Sequence, residues 1–236
     1  MAKKLFLSLT GLSLAMVLIV ACEKDAKTDE KLPAPPVVSN SFVEEFDTVG
    51  NLSAKGWVIV NNSAPSGPMS WRQGKYELGG KLGNDIVGFP AYSAVYNQNE
   101  FASVDLNCGS DVATLSAWII TKEIIVKNGD VLSFYTRCNG DYADRLQVRA
   151  NYTTTSTNVG SGPNEVGDFS TLLLDINPNL NLVDYPVSWT KYSITVSGVT
   201  GTVKARFGFR YFVTEGGPSG ANSDMIGIDK LEFVSK

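Results

Sequence analysis

The chain has 236 residues, with 20 basic and 24 acidic side chains, no histidine and 43% hydrophobic residues. Without histidine it cannot use Ser-His-Asp or Cys-His catalysis, histidine metal ligation or histidine pH switching. The acidic balance and the lack of any basic tract exclude the usual electrostatic basis for binding nucleic acid.

The N-terminal stretch MAKKLFLSLTGLSLAMVLIVAC has a charged start at Lys3 and Lys4, an apolar run, and the ending Ile19-Val20-Ala21-Cys22. Residues 1–21 read as a secretory signal peptide. The last four residues resemble a bacterial lipobox, which makes Cys22 the expected lipidation site. Each buried CH₂ of an acyl chain contributes about 0.8 kcal/mol, so several chains on one cysteine would anchor the protein durably. Residues 22–39 then carry dense mixed charge, no aromatics and three prolines. Such a segment cannot bury enough apolar surface to fold and reads as a tether. Once Lys3 and Lys4 are removed, 18 basic residues face 24 acidic ones, a net charge of −6.

Residues 40–236 show alternation broken by turns. In SNSFVEEFDTVG (39–50), strand geometry puts Phe42, Glu44 and Phe46 on one face, leaving a carboxylate on an apolar side. A carboxylate there needs a partner, and calcium, a hard cation that takes six to eight oxygens, fits an extracellular setting. Leu132, Phe134 and Thr136 alternate with Ser133, Tyr135 and Arg137. Leu146 and Val148, Tyr192, Ile194 and Val196, and Phe207, Phe209 and Tyr211 repeat this period of two. Turn signals KNGD (127–130), CNGD (138–141) and EGGPSG (215–220) separate the runs, and no helical period is sustained. The expectation is an all-β chain of about ten to twelve strands forming one jelly-roll β-sandwich.

In NSDMIGIDKLEFV (222–234), Ile226 and Ile228 share one parity while Leu231 and Phe233 take the other, so a β-bulge is expected near Asp229 and Lys230. If the first and last strands lie together, Glu44 and Asp229 converge on calcium, with Asn222 and Asp224 as secondary ligands. The alternative leaves Glu44 at a solvated rim. Cys108 and Cys138 either form a disulfide or are small buried core residues. Arg137, Arg145, Arg149, Arg206 and Arg210 fall on outward phases and read mainly as a solvated face, with a groove for acidic glycans as the alternative. The tryptophans read as packing residues, and Tyr92, Tyr96 and Tyr142, set among polar loop residues, read together with Arg145 as ligand contacts. Acid pairs could hydrolyse glycosides, but no pair is singled out.

The runs EEFDTVGNLSAKGWVIVNNSAPSG (44–67), SWRQG (70–74), LSAWIITKEIIVKNGDVLSFYTR (115–137), DRLQVR (144–149), VGDFSTLLLDINP (166–178), YPVSWTKYSITVSGV (185–199) and the stretch 206–233 resemble the choice-of-anchor J domain family, related to the cleaved-adhesin domains of gingipain-type proteases. The resemblance implies a galactose-binding-like or MAM-like jelly roll displayed outside the cell, with structural calcium held near the start and end of the domain. By motif position those ligands fall on Glu44 or Asp47 and on Asp229. The family usually reads Trp-Leu-Ile-Thr-Pro where this chain has WIITKE (118–123), so Lys122 departs from it. No catalytic residues carry over. The sequence as a whole points to a lipid-anchored outer-membrane or cell-surface module binding an extracellular glycan or protein. A carboxylate-based hydrolase, or an accessory domain of a polysaccharide-degrading system, is the alternative.

Overall fold

The computed structural model describes residues 40–76, 81–82 and 86–236; Cys22, the signal peptide, the tether and Asp85 lie outside the described residues. In chain order the strands are β1 (Phe42–Glu44), β2 (Val58–Asn61), β3 (Ala64–Ser66), β4 (Arg72–Gln73), β5 (Lys81–Leu82), β6 (Ile86–Val87), β7 (Ala102–Asp105), β8 (Gly109–Ile120), β9 (Ile124–Lys127), β10 (Val131–Cys138), β11 (Leu146–Asn151), β12 (Thr171–Ile176), β13 (Thr190–Thr195), β14 (Thr202–Gly216) and β15 (Met225–Val234). The only helical segments among the described residues are three 3-10 turns, at Val49–Asn51, Ser53–Lys55 and Leu106–Cys108. Several of the shorter strands were not foreseen from the sequence, because two- and three-residue segments carry too little alternation to register.

Two antiparallel sheets pack face to face. The first has the order β13-β10-β15-β7-β4, with β1 also on β15, and the second has the order β12-β11-β14-β8-β2, with β3 on β8 and β9 on β14. β1 and β7 share one edge of β15: β1 pairs with Leu231–Phe233 and β7 with Met225–Ile228. The expected bulge lies between these stretches. The register against β10 shifts between Ser133 and Tyr135, and Lys230 takes a φ of 45°. The bulge moves Leu231 and Phe233 back onto the inner face after Ile226 and Ile228, which is why the sequence phase slips there.

The main core between the sheets includes Leu132 and Phe134 of β10, Phe207, Phe209 and Tyr211 of β14, and Leu231 and Phe233 of β15. Phe134 meets Phe209 edge to face across the sheets, with ring centroids 5.0 Å apart. Among the described residues, two further apolar clusters lie apart from this core. One holds Phe89, Phe101 and Met225 with Trp189 packed against them. The other holds Trp118, Ile120, Val159 and Phe169. The strandless segments 88–101 and 152–170 contribute to these clusters, so the outer faces of both sheets are partly roofed by loops.

Candidate functional site

The 88–101 loop is fastened at two levels. Its apolar feet, Phe89 and Phe101, stack on each other at 5.2 Å, and Trp189 packs edge-on to both. The Trp189 indole N–H donates to the Pro90 carbonyl at 2.8 Å, and the Arg137 guanidinium lies 4.4 Å from the Phe89 ring centre. Above these feet, two buried carboxylates bind the loop backbone. Asp229 Oδ2 accepts the N–H groups of Tyr92 and Ser93 at 2.8 and 2.9 Å, while its Oδ1 accepts that of Lys230. Glu100 accepts the N–H groups of Val95, Tyr96 and Asn97, together with the Asn97 side-chain amide. These bonds hold the Glu100 carboxyl below its ordinary range, although burial acts in the opposite direction. At Asp229 burial wins and pushes the carboxyl up to about 7.

The outcome is a loop of fixed shape with apolar side chains facing water. Tyr92 is 42%, Val95 65% and Tyr96 84% exposed. The Tyr92 ring stacks on Tyr135 with centroids 3.6 Å apart, and Lys191 Nζ lies 5.9 Å from the Tyr135 ring centre. Tyr92 and Tyr96, two of the tyrosines that the sequence singled out, are both exposed on this one loop, with Tyr135 stacked on Tyr92 and Glu100 anchoring the backbone at Tyr96. Tyr142 is exposed but belongs to the turn after β10. Arg145 is spent in a two-pronged ion pair with Asp175, at 2.8 and 2.6 Å.

The expected calcium constellation is not assembled in one place. Glu44 is buried as predicted, but its partner is Lys55 Nζ, at 2.9 and 3.1 Å from the two carboxylate oxygens. The Lys55 stem lets a half-exposed ammonium reach in from the 3-10 turn. Asp47 is exposed, and its carboxyl is pushed up by desolvation and by the neighbouring Glu100, Glu45 and Glu44. The acid nearest Asp229 in effect is Glu45, whose Oε2 is buried without a hydrogen bond and whose Oε1 lies 3.8 Å from Lys230 Nζ. Asn222 is tied to backbone, donating to the carbonyls of Glu215 and Thr214. Asp224 lies at the start of β15, beside Asp144 rather than Asp229. Among the described residues, no three acidic or thiol side chains converge to hold a metal ion.

Asp144 and Asp224 form a second buried acidic pair, 0% and 2% exposed. Asp144 Oδ1 accepts the Tyr211 hydroxyl and the Asp224 N–H. Burial pushes Asp144 up to about 7, and burial followed by the Asp141 charge pushes Asp224 up to about 6. The disulfide alternative fails. Cys108 and Cys138 are both free and buried, Cys108 against the Ser63 hydroxyl and Cys138 against the Tyr185 carbonyl. Burial is the main reason that both thiols are pushed up to about 12.

On the other sheet the solvated-arginine reading is corrected at Arg210, which is 2% exposed. Its guanidinium donates to Ser116 Oγ, Gln147 Oε1 and the Pro163 carbonyl, and stacks 3.8 Å from the Phe212 ring centre. Burial pushes it down to about 9. A groove of about 690 Å³ opens beside Leu52, Trp57, Ile59 and Trp71. Its polar edge is already engaged, since Arg72 pairs with Asp105 while Gln73 holds Val49 and the Asn99 carbonyl.

No protein-family model matches the chain, and no curated protein matches it. Among solved structures it is similar to the K1 cleaved adhesin domain of Lys-gingipain from Porphyromonas gingivalis W83. The TM-score is 0.50 at 19% identity, covering 83% of this chain and 98% of that one. The K2 cleaved adhesin domain of Lys-gingipain matches with a TM-score of 0.50 at 17% identity, over 82% of this chain and 99% of that one. The K3 domain gives 0.50 at 13% identity, over 83% and 98%. At these identities the likeness establishes a shared fold, the β-sandwich that the sequence predicted. Among the described residues no helix is long and apolar enough to cross a membrane.

Proposed function

We propose that this is a non-catalytic binding module of the choice-of-anchor J type, tethered outside the cell through Cys22, which contacts an extracellular glycan with the 88–101 loop. The observation that carries this reading is the exposed pair Tyr92 and Tyr96 on a backbone pinned by Asp229 and Glu100. The Tyr92 ring, already stacked on Tyr135, loses little entropy on contact, the backbone that carries Tyr96 is fixed in advance, and a tyrosine offers both a flat apolar face and a hydroxyl. A hydrolase reading is weaker: Asp144, Asp224 and Asp229 have the raised carboxyl of a general acid, yet they are 0–2% exposed and sealed from any glycosidic bond. Calcium belongs to the same proposal only through Glu45, whose Oε2 is buried without a hydrogen-bond partner, because both oxygens of Asp229 already accept backbone N–H groups.

The test is a glycan array probed with the full chain in detergent and millimolar calcium, alongside Tyr96→Ala and Tyr92→Ala. The expected outcome is binding to a restricted set of glycans, weakened at least tenfold in both variants with little change in melting temperature. Binding that is indifferent to both substitutions would move the contact surface elsewhere.

A further inference from the structure

The outer face of the second sheet gathers three guanidiniums around one carboxylate. The strand register sets Asp175, Gln147, Arg210 and Trp118 side by side across β12, β11, β14 and β8. By alternation Arg145 and Arg149 share the face of Gln147, two residues before and after it. Gln147 joins the group: its Oε1 accepts from Arg210 Nη1 at 3.2 Å and Arg149 Nη1 at 3.4 Å, and its Nε2 donates to Asp175 Oδ2 at 2.9 Å. Asp175 also accepts from Arg145 Nε and Nη2. The charges do not balance. Asp175 offsets Arg145, whereas Arg210 and Arg149 meet only neutral acceptors: Ser116 Oγ, Gln147 Oε1 and the Pro163 carbonyl for the first, Gln147 Oε1 and the carbonyls of Phe169 and Ser170 for the second. Glu165, on the segment covering this face, is turned to the N–H and hydroxyl of Ser161.

A cation only 2% exposed, with like charges beside it and no counter-charge, is costly. Burial first, then the charges of Arg149 and Arg145, push Arg210 down. The surplus stands out in a chain whose net charge is −4. We propose that this face binds the anionic groups of an acidic glycan, a uronate carboxylate or a sulfate ester, held by Arg149 and Arg145 above the buried charge of Arg210. That the site takes an oxyanion rests on the arginines; that a glycan carries it rests on the function proposed above. Arg145 spends Nε and Nη2 on Asp175 and keeps the two N–H groups of Nη1, while Arg149 donates once from each nitrogen and keeps one N–H on each of Nη1 and Nη2. A guanidinium with N–H groups to spare suits a planar carboxylate or a sulfate, which can accept two at once. Both arginines are half-buried, and Ser170, Thr171 and Leu172 beside Arg149 are exposed, so the site is open on the β12 side.

The site is tested by titration calorimetry of the full chain in detergent at physiological salt, with oligogalacturonate and its methyl ester and with a sulfated galactan oligosaccharide and its desulfated form, for wild type, Arg149→Gln, Asp175→Asn and Tyr96→Ala. At least one acidic probe should bind tenfold or more tighter than its uncharged counterpart, and which one does so names the oxyanion. Arg149→Gln should weaken that probe at least tenfold, whereas Asp175→Asn, which removes the opposing carboxylate, should tighten it several-fold. Acidic probes that bind no better than their uncharged forms overturn the proposal, and so does unchanged affinity in Arg149→Gln. Loss in Tyr96→Ala with full binding in Arg149→Gln sinks this site and leaves the loop reading standing; the reverse pattern supports the site and counts against the loop. Should Arg149→Gln fail to fold, phenylglyoxal labelling of the wild type decides: slower modification of Arg149 in the presence of the acidic probe supports the site, and an unchanged rate overturns it.

Discussion

At the scale of single residues, the sequence exposed an anomaly at Glu44 without revealing its answer. A carboxylate between two phenylalanines had to be partnered, and the alternation put it on the buried side correctly. Its partner lies eleven residues on, in a 3-10 turn whose reach no periodicity announces. Lys55→Met should lower stability by about 1 kcal/mol, because it leaves a buried acid with only the long Phe46 N–H contact; chemical denaturation of the full chain measures it. The thiols give a second prediction. Cys108 stays neutral in the fold up to about 12 but ionises near 9.0 once unfolded. Between those values the unfolded chain releases a proton that the folded chain keeps, so stability falls as pH rises through that window and is unaffected below it. The slope from this one group is up to about 1.4 kcal/mol per pH unit. Cys108→Ala should remove that share of the alkaline loss, read as a flatter dependence of the denaturation midpoint on pH between 9 and 11.

At the scale of elements, the strands were legible and their coverings were not. Alternation assigned Leu146, Val148, Phe207 and Phe209 to the inside, where they are. It also assigned Arg210 to a side opposite that core, and in a two-layer reading that side means water, while Trp118 was read only as a packing residue with no partner named. Both are buried because segment 152–170 lies over them, a relation set by tertiary packing at a sequence distance no local pattern spans. The 88–101 loop hid in the same way. Its tyrosines stood out as aromatics among polar residues, but Glu100 gave no signal, since an acid in a polar loop is ordinary until three N–H groups are found pointing at it. Glu100→Gln has one carbonyl oxygen to serve donors that now share two. It should therefore loosen the loop and weaken ligand binding several-fold, with less effect on the melting temperature than a core truncation such as Phe134→Ala, expected to cost about 3 to 5 kcal/mol. A glycan titration and a thermal melt on the same two variants separate these effects.

At the scale of the whole molecule, the three apolar clusters predict how the protein comes apart. The sheets share one core in which Phe134, Phe209 and Phe233 all take part, so amides paired across β10, β14 and β15 can exchange only when that core opens. The roofing loops rest on smaller clusters of three or four buried residues, with side-chain carboxylates and a guanidinium in place of ladder hydrogen bonds. Losing such a cluster exposes little area, so each roof can lift while the sandwich stays intact. Native-state hydrogen exchange should then resolve a hierarchy. The N–H groups of Tyr92, Ser93 and Tyr96 should exchange through local opening, largely insensitive to low denaturant. Those of Phe134, Phe209 and Phe233 should follow global unfolding, with the full denaturant dependence. Removing the Trp189 foot by Trp189→Ala should speed exchange at Tyr92 and Ser93 tenfold or more and leave Phe209 tracking only the change in global stability. If Tyr92 and Phe209 instead exchange together at every denaturant concentration, loop and sandwich form one cooperative unit, and the pinned tyrosine platform is as rigid as the core beneath it.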